Sequence, residues 1–387
     1  MKNEKLGLVL EGGGARGAYQ VGACKYLFES GYKFDTFVGT SIGAINASMI
    51  AQDEFDKLVS IWENLKYSDV FDIDDSKFNK LKKSSLDMNI IKYLTNKVTS
   101  VFKSGGINTE KMRAFGKKCI NEEKLRKTNM NFGLATYCIS DMKPVEIFIK
   151  DIPQGELLDY ILASSRLPVF KQELFNDKYY IDGGVYNNCP INMVQKAGKK
   201  KFIVIYTNAI GIKKKYIHKK DEEVIQISPK QTLPNILDFD KKSIKMMMNL
   251  GYHDAKKVIE NLDGFEYYLK SNTEEFYYSL FINYDKKVLK KVYKLLNLEY
   301  VDSYKVFLDT VIPTLLKKID AKNVRTYNEA MCYLLEYVAK KEGIDKYKVY
   351  EFKELVELVK KNMKVTKKTK ILEVIYTIIK GIDTDNI

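Results

Sequence analysis

A chain of 387 residues with 45% hydrophobic and 12% aromatic content can bury a large core, which excludes long disordered stretches and allows one large domain plus a smaller one. The net charge of +14 is spread along the sequence, with no basic arm and no helix-turn-helix, finger or aromatic RNA-binding motif, so nucleic acid is not an expected partner. Five scattered cysteines without CxxC spacing predict neither a disulfide framework nor a metal site, and no apolar run approaches the roughly 18 residues of a membrane-spanning helix.

In chain order, LGLVL at 6–10 predicts a short buried strand, too short for a signal-peptide core and ended by Glu11. The cluster EGGGARG follows, then a helix to Gly31, then a strand at 34–38 running into GTSIG, then a helix from Ile42 to about residue 50. Strand, glycine turn and helix thus occur twice within the first 50 residues, which predicts an α/β domain with a mainly parallel sheet. An amphipathic helix at 53–65 carries the only tryptophan, Trp62, and the polar stretch 66–106 reads as an insertion, either a lid or plain surface. A helix from 109, strands at 131–139 and 143–150, and a helix at 155–164 come next. A strand ending at Asp182 before Gly183-Gly184, strands at 201–208 and 222–228, and a helix at 241–261 close the domain at about 262. Residues 263–387 read as almost entirely helical (284–297, 302–319, 326–341, 347–363 and 368–380), with Pro313 kinking or dividing the second of these.

Gly39-Thr40-Ser41-Ile42-Gly43 fits G-x-S-x-G, the tight strand-to-helix turn that projects a serine from a sheet end. Side chains at Gly39 and Gly43 would collide with neighbouring backbone, and the helix N-terminus behind Ser41 favours a developing anion. The run Gly12-Gly13-Gly14-Ala15-Arg16-Gly17 has three readings. A dinucleotide site needs an acidic residue at the end of the next strand, but that strand runs into the serine turn; a phosphate loop needs Gly-Lys-Ser/Thr, which is lacking. An oxyanion hole built from backbone N–H groups is the reading that accounts for a nucleophile turn on the following strand.

A serine needs a base, and the chain has two histidines. Ser41, Asp182 and then His218 or His253 would be an allowed order for a triad. His218 lies in the cationic KKKYIHKK, which disfavours an imidazolium, and His253 lies inside an expected helix. Asp182, on a turn at a strand end, is the remaining candidate base, given burial that raises its basicity, but an aspartate before glycines is by itself more often a plain turn residue.

GGGARG, GTSIG and DGG, in that order, resemble the three motifs of the patatin-like phospholipases, with ASSRLPVF at 163–170 and LGYHDA at 250–255 as further points of similarity. The resemblance covers about residues 4–262. It implies a three-layer α/β/α patatin-like core, followed here by an all-α region of unknown role, and a Ser-Asp dyad that hydrolyses lipid esters with no metal or cofactor. By that resemblance Ser41 is the nucleophile and Asp182 the base. Gly12, Gly13 and Gly14 form the oxyanion hole, and Arg16, Gly39, Gly43, Gly183 and Gly184 support the site. Arg166 stands where a smaller residue is expected. The implied substrate is a phospholipid or other lipid ester met at a membrane surface; separately, the lack of a readable secretion signal and the scattered cysteines lead to the expectation of a cytoplasmic, peripherally binding protein. The basic runs Lys199–Lys201, Lys213–Lys215 with Lys219 and Lys220, and 361–370, and the polar 66–106 insertion, are candidate docking and lid elements. Two rivals stay open: an esterase using His253 or His218, and a catalytically idle protein that binds lipid or a partner.

Overall fold

The computed structural model describes residues 4–70, 109–167, 170–321, 324–363, 369–385 and 387. From residue 71 onward the expected 66–106 insertion lies outside the described residues. The chain forms two compact units, Met1–Val258 and Ile259–Ile387.

The first unit is built on a mixed, mostly parallel sheet with helices on both sides. Its strands are β1 (Lys5–Leu10), β2 (Lys33–Thr40), β3 (Asn131–Cys138), β4 (Lys143–Phe148), β5 (Tyr180–Asp182), β6 (Lys201–Ile205) and β7 (Glu223–Ile227), and the main path runs β4-β3-β2-β1-β6-β7. Strands β1 and β6 sit inside the sheet and are buried nearly throughout, which is why they read as unbroken apolar runs rather than as alternation. β4 is an edge strand, the place where a strand tolerates Pro144. On one face Val9, Val38, Ala135, Phe202 and Val204 pack against Ile191, Met193 and Val194 of the short helix Ile191–Lys196.

One detail of register positions the site. β2 runs parallel to β3 until Thr40 stands opposite Ala135. β5 arrives antiparallel and places Asp182 opposite Thr136, the next residue of β3. Since β4 occupies the other edge of β3 over Gly133–Cys138, β2 and β5 share one edge and meet there end to end. Ser41 and Asp182, distant in sequence, are thereby brought to one point at the sheet's rim.

The second unit is helical apart from a two-stranded parallel pair, β8 (Tyr268–Leu269) with β9 (Val349–Tyr350). Its core gathers Tyr277, Phe281, Phe307, Leu335, Leu355 and Ile378. One expected boundary is corrected here, and one helix is added. The helix expected at 347–363 starts only at Phe352, because 349–350 pairs as a strand. A helix at Glu274–Ile282, capped by the Thr273 side chain, was not expected. The 302–319 helix changes to a wider π-helical turn at Phe307–Val311 before resuming at Ile312–Lys318, which accommodates the ring and missing N–H of Pro313. Among the described residues no helix is long and apolar enough to cross a membrane.

Candidate active site

Ser41 sits between β2 and helix α2 (Ile42–Ala51) with φ 55° and ψ −128°. That combination is outside the left-handed well that ordinary turns use, so the residue is held under strain. The flanking glycines explain how the turn closes. A Cβ at Gly39 would lie 2.3 Å from the Gly43 backbone, and one at Gly43 would lie 2.3 Å from the Leu10 carbonyl oxygen of β1. The strained peptide is also tied from the side: the Ser41 N–H donates to Ser164 Oγ at 2.9 Å, and that hydroxyl donates to the Ala135 carbonyl at 2.7 Å. Thr40 Oγ1 adds a bond to the Asn187 carbonyl at 2.8 Å.

Asp182 is buried, and its N–H donates to the Arg166 carbonyl at 2.8 Å. Its Oδ1 accepts the Gly184 N–H at 2.7 Å, while Oδ2 is buried without a formed hydrogen bond. Burial pushes the carboxyl up to about 6, against the opposing pull of the Ser41 hydroxyl and the Gly184 amide. The Ser41 hydroxyl is thus near enough to favour the ionised carboxylate, although Oδ2 forms no hydrogen bond. Gly183 lets the turn lie against β3, where a Cβ would be 2.1 Å from the Ala135 oxygen.

The three glycines of the first loop do not stand equivalently. Gly12 N–H donates to the Asn188 carbonyl at 2.9 Å, and its own carbonyl accepts from Thr207 Oγ1 at 2.6 Å. Gly13 and Gly14 instead line the cavity that holds Ser41 and Asp182. Arg16 points away from this cavity and binds three carbonyls, those of Pro234, Thr207 and Asn208, at 2.8, 3.3 and 2.7 Å.

The cavity has a volume of about 630 Å³, within the usual range for small-molecule sites. Away from Ser41 its wall is apolar: Ile45, Met49, Leu58, Trp62, Phe115 and Phe170 are among its residues. Trp62 is fixed by its Nε1–H, which donates to Asn46 Oδ1 at 3.0 Å, and by stacking on Phe239. Near the serine the wall carries three buried polar atoms without a formed hydrogen bond: Asp182 Oδ2, Asn188 Nδ2 and Ser165 Oγ. Neither histidine lines the cavity. His253 Nδ1 meets the Asn249 carbonyl one helical turn back, and exposed His218 meets the Tyr216 hydroxyl.

Compared with known proteins, residues 8–194 match the family model described as patatin-like phospholipase. This part of the chain is a patatin-like phospholipase domain. A probable lipid hydrolase, 463L of Invertebrate iridescent virus 6, is 26% identical over 270 residues, which is 65% of this chain and 88% of the viral protein. Lysophospholipase NTE1 of Candida albicans is 29% identical over 54% of this chain but only 14% of its own length. Among solved structures, VipD from Legionella pneumophila aligns with 96% of this chain and 83% of its own at 14% identity and a TM-score of 0.42.

Three features of the patatin-like unit escape a reading of its sequence. Ser164 orients the Ser41 amide, yet as a serine at a helix end it carries no local signal. Glu11, which reads as the end of a strand, is wholly buried; its Oε2 accepts the Thr207 and Asn208 amides at 2.5 and 3.0 Å, and Lys213 reaches it at 2.6 Å. Arg166 fits because its guanidinium turns to Glu173, donating to the carbonyl at 2.7 Å. Two of the expected basic runs are largely engaged within the protein. Lys214 pairs with buried Glu146 at 3.0 Å, and Lys199, Lys200 and Lys201 pair with Asp35, Asp221 and Glu4. Of the run at 361–370, residues 364–368 lie outside the described residues.

Proposed function

We propose that this chain is a serine-dependent lipid acyl hydrolase of the phospholipase A or lysophospholipase type, using Ser41 as nucleophile and Asp182 as base. The observation that carries the reading is the end-to-end meeting of β2 and β5 on β3, which sets a strained serine beside a buried carboxylate at the head of an apolar cavity. Family membership supports the lipid hydrolase class.

Ser41 Oγ attacks the ester carbonyl while its proton passes to Asp182 Oδ2, the oxygen left without a partner. A carboxyl with a pKa of about 6 is mostly ionised at neutral pH, yet more basic than an exposed aspartate. The oxyanion of the tetrahedral intermediate is held by the N–H groups of Gly13 and Gly14, at the start of α1 (Gly17–Glu29); one such donor is worth about 10² to 10³ in rate. Gly12 keeps this loop in place through Asn188 rather than donating to substrate. Collapse of the intermediate returns the proton to the departing alcohol or lysolipid. The acyl chain stays on Ser41 in the apolar part of the cavity until water, activated by the same carboxylate, releases the fatty acid.

Fatty-acid release from a panel of phospholipids, lysophospholipids and triacylglycerols, with Ser41→Ala as control, tests the reading. Release that depends on Ser41 is expected; release by the Ser41→Ala chain at the rate of the unaltered protein would refute it.

A further inference from the structure

The segment from Thr207 to Lys213 runs along the mouth of the cavity, and both its stems are pinned. On one side the Thr207 and Asn208 amides bind Glu11, and Arg16 binds both carbonyls. On the other, Ile212 N–H donates to the Gly184 carbonyl at 2.8 Å, Asn188 N–H donates to the Ile212 carbonyl at 2.6 Å, and Lys213 pairs with Glu11. The tip between the stems projects Ile210, which is 101% exposed, beside Ile212 at 60%. Val185, the residue after Gly184, is 40% exposed. Single exposed apolar side chains are ordinary on protein surfaces. Here three of them, Val185, Ile210 and Ile212, are at once exposed and part of the wall of one apolar cavity, so water-facing and cavity-facing apolar surface are continuous. Beyond Lys213 the chain returns toward the opposite end of the sheet, where Glu223 enters β7 beside Lys201.

We propose that Val185, Ile210 and Ile212 form a rigid apolar wedge that enters the surface of a lipid bilayer. The proposal rests on the lipid-hydrolase reading above and names the surface through which that site meets its substrate. An acyl chain leaving a bilayer would pass over the wedge into the cavity without crossing water. The loop's bonds to Gly184 and Glu11 tie the inserted tip to the segment that carries Asp182, so insertion requires no rearrangement of the site. The side chains of Lys199–Lys201 and Lys213–Lys214, candidates for docking by charge, are engaged with carboxylates, which leaves the contact to the apolar tip.

The test is co-sedimentation of the full chain in a Ser41→Ala background with vesicles of phosphatidylcholine containing phosphatidylserine. Ile210→Asp is expected to lower partitioning by about 10- to 100-fold, the factor associated with withdrawing one isoleucine side chain from an apolar medium. Ile210→Phe is expected to keep partitioning, as is Leu298→Asp, an exposed leucine in the other unit. Thermal melting of each variant separates a surface effect from misfolding, and a fully exposed residue should leave the melt unchanged. Unaltered partitioning of Ile210→Asp, or no vesicle binding by the parent chain, overturns the wedge. Hydrolysis of monomeric lysophospholipid by the unmodified chain, measured separately, tests the enzymatic reading alone. Hydrolysis with binding insensitive to Ile210 sinks only the wedge, and Ile210-dependent binding without hydrolysis sinks only the reading.

Discussion

Ser41 and Asn297 have nearly the same φ, 55° and 58°, and they show how the two units differ. Asn297, in the helical unit, has ψ 41° and ends the helix Lys286–Leu296 in the ordinary left-handed cap that asparagine tolerates. Ser41, in the patatin-like unit, has ψ −128°, which no cap requires. Elsewhere the helical unit follows local rules: Thr273, Asp285, Ser303, Thr326 and Thr369 each cap a helix start with the side chain, and Thr326 forms a reciprocal capping box with Glu329. In the patatin-like unit a strained serine, a buried carboxylate with an unpaired oxygen and an unpaired buried amide line the same cavity. Local exceptions that converge on one cavity are what a functional site requires.

That contrast can be broken by substitution. The largest expected effect is Asp182→Asn, which removes the base and should lower turnover of a soluble ester by several orders of magnitude, read as kcat/KM. The same change should stabilise the fold at pH 8. An ordinary unfolded aspartate titrates near 4 and the folded one near 6, so the native state binds the proton more tightly. Its penalty is present in full above pH 6 and is relieved as pH falls from 6 toward 4. Asp182→Asn removes that dependence and should add on the order of 2–3 kcal/mol at pH 8, measured by denaturant unfolding. A loss of stability at pH 8 would show that the carboxylate is not held under strain. Gly43→Ala comes next. Its Cβ would press on the Leu10 carbonyl, so the variant should lose several degrees of melting temperature together with most activity. Ser164→Ala sharpens the comparison, leaving the Ser41 amide and the Ala135 carbonyl unpaired at a typical cost of about 1–3 kcal/mol each. Activity should fall with kcat affected more than KM, because the elbow is mispositioned while the cavity is intact. The smallest effect is expected in the helical unit: Thr326→Ala should cost about 1 kcal/mol of helix capping and leave turnover unchanged.

The sequence made the strand–glycine–helix units readable because each signal is local. LGLVL reads as a buried strand wherever it lies, and the two glycines around Ser41 predict a turn that tolerates no side chain. What it hid were pairings between distant segments. Two lysines of the 213–215 run read as surface charge, since their carboxylate partners, Glu11 and Glu146, stand far off in the chain. Three consecutive glycines read as three equal donors, and only the fold reveals that the Gly12 amide is spent on Asn188. The nearness of Ser41 and Asp182 was legible only through resemblance, because it depends on two strands sharing one edge of a third. The start of the 347–363 helix was misread because a two-residue strand has too little pattern to oppose a helical period.

The account's central claim is that Ser41 is activated by Asp182 without an imidazole, and covalent labelling with a fluorophosphonate followed by peptide mapping tests it most directly. The account predicts an adduct on Ser41, lost in Ser41→Ala, strongly slowed in Asp182→Asn and formed at near-normal rate when His218 and His253 are both replaced by alanine. An adduct on another residue, or one that disappears with the histidines while surviving Asp182→Asn, would contradict it.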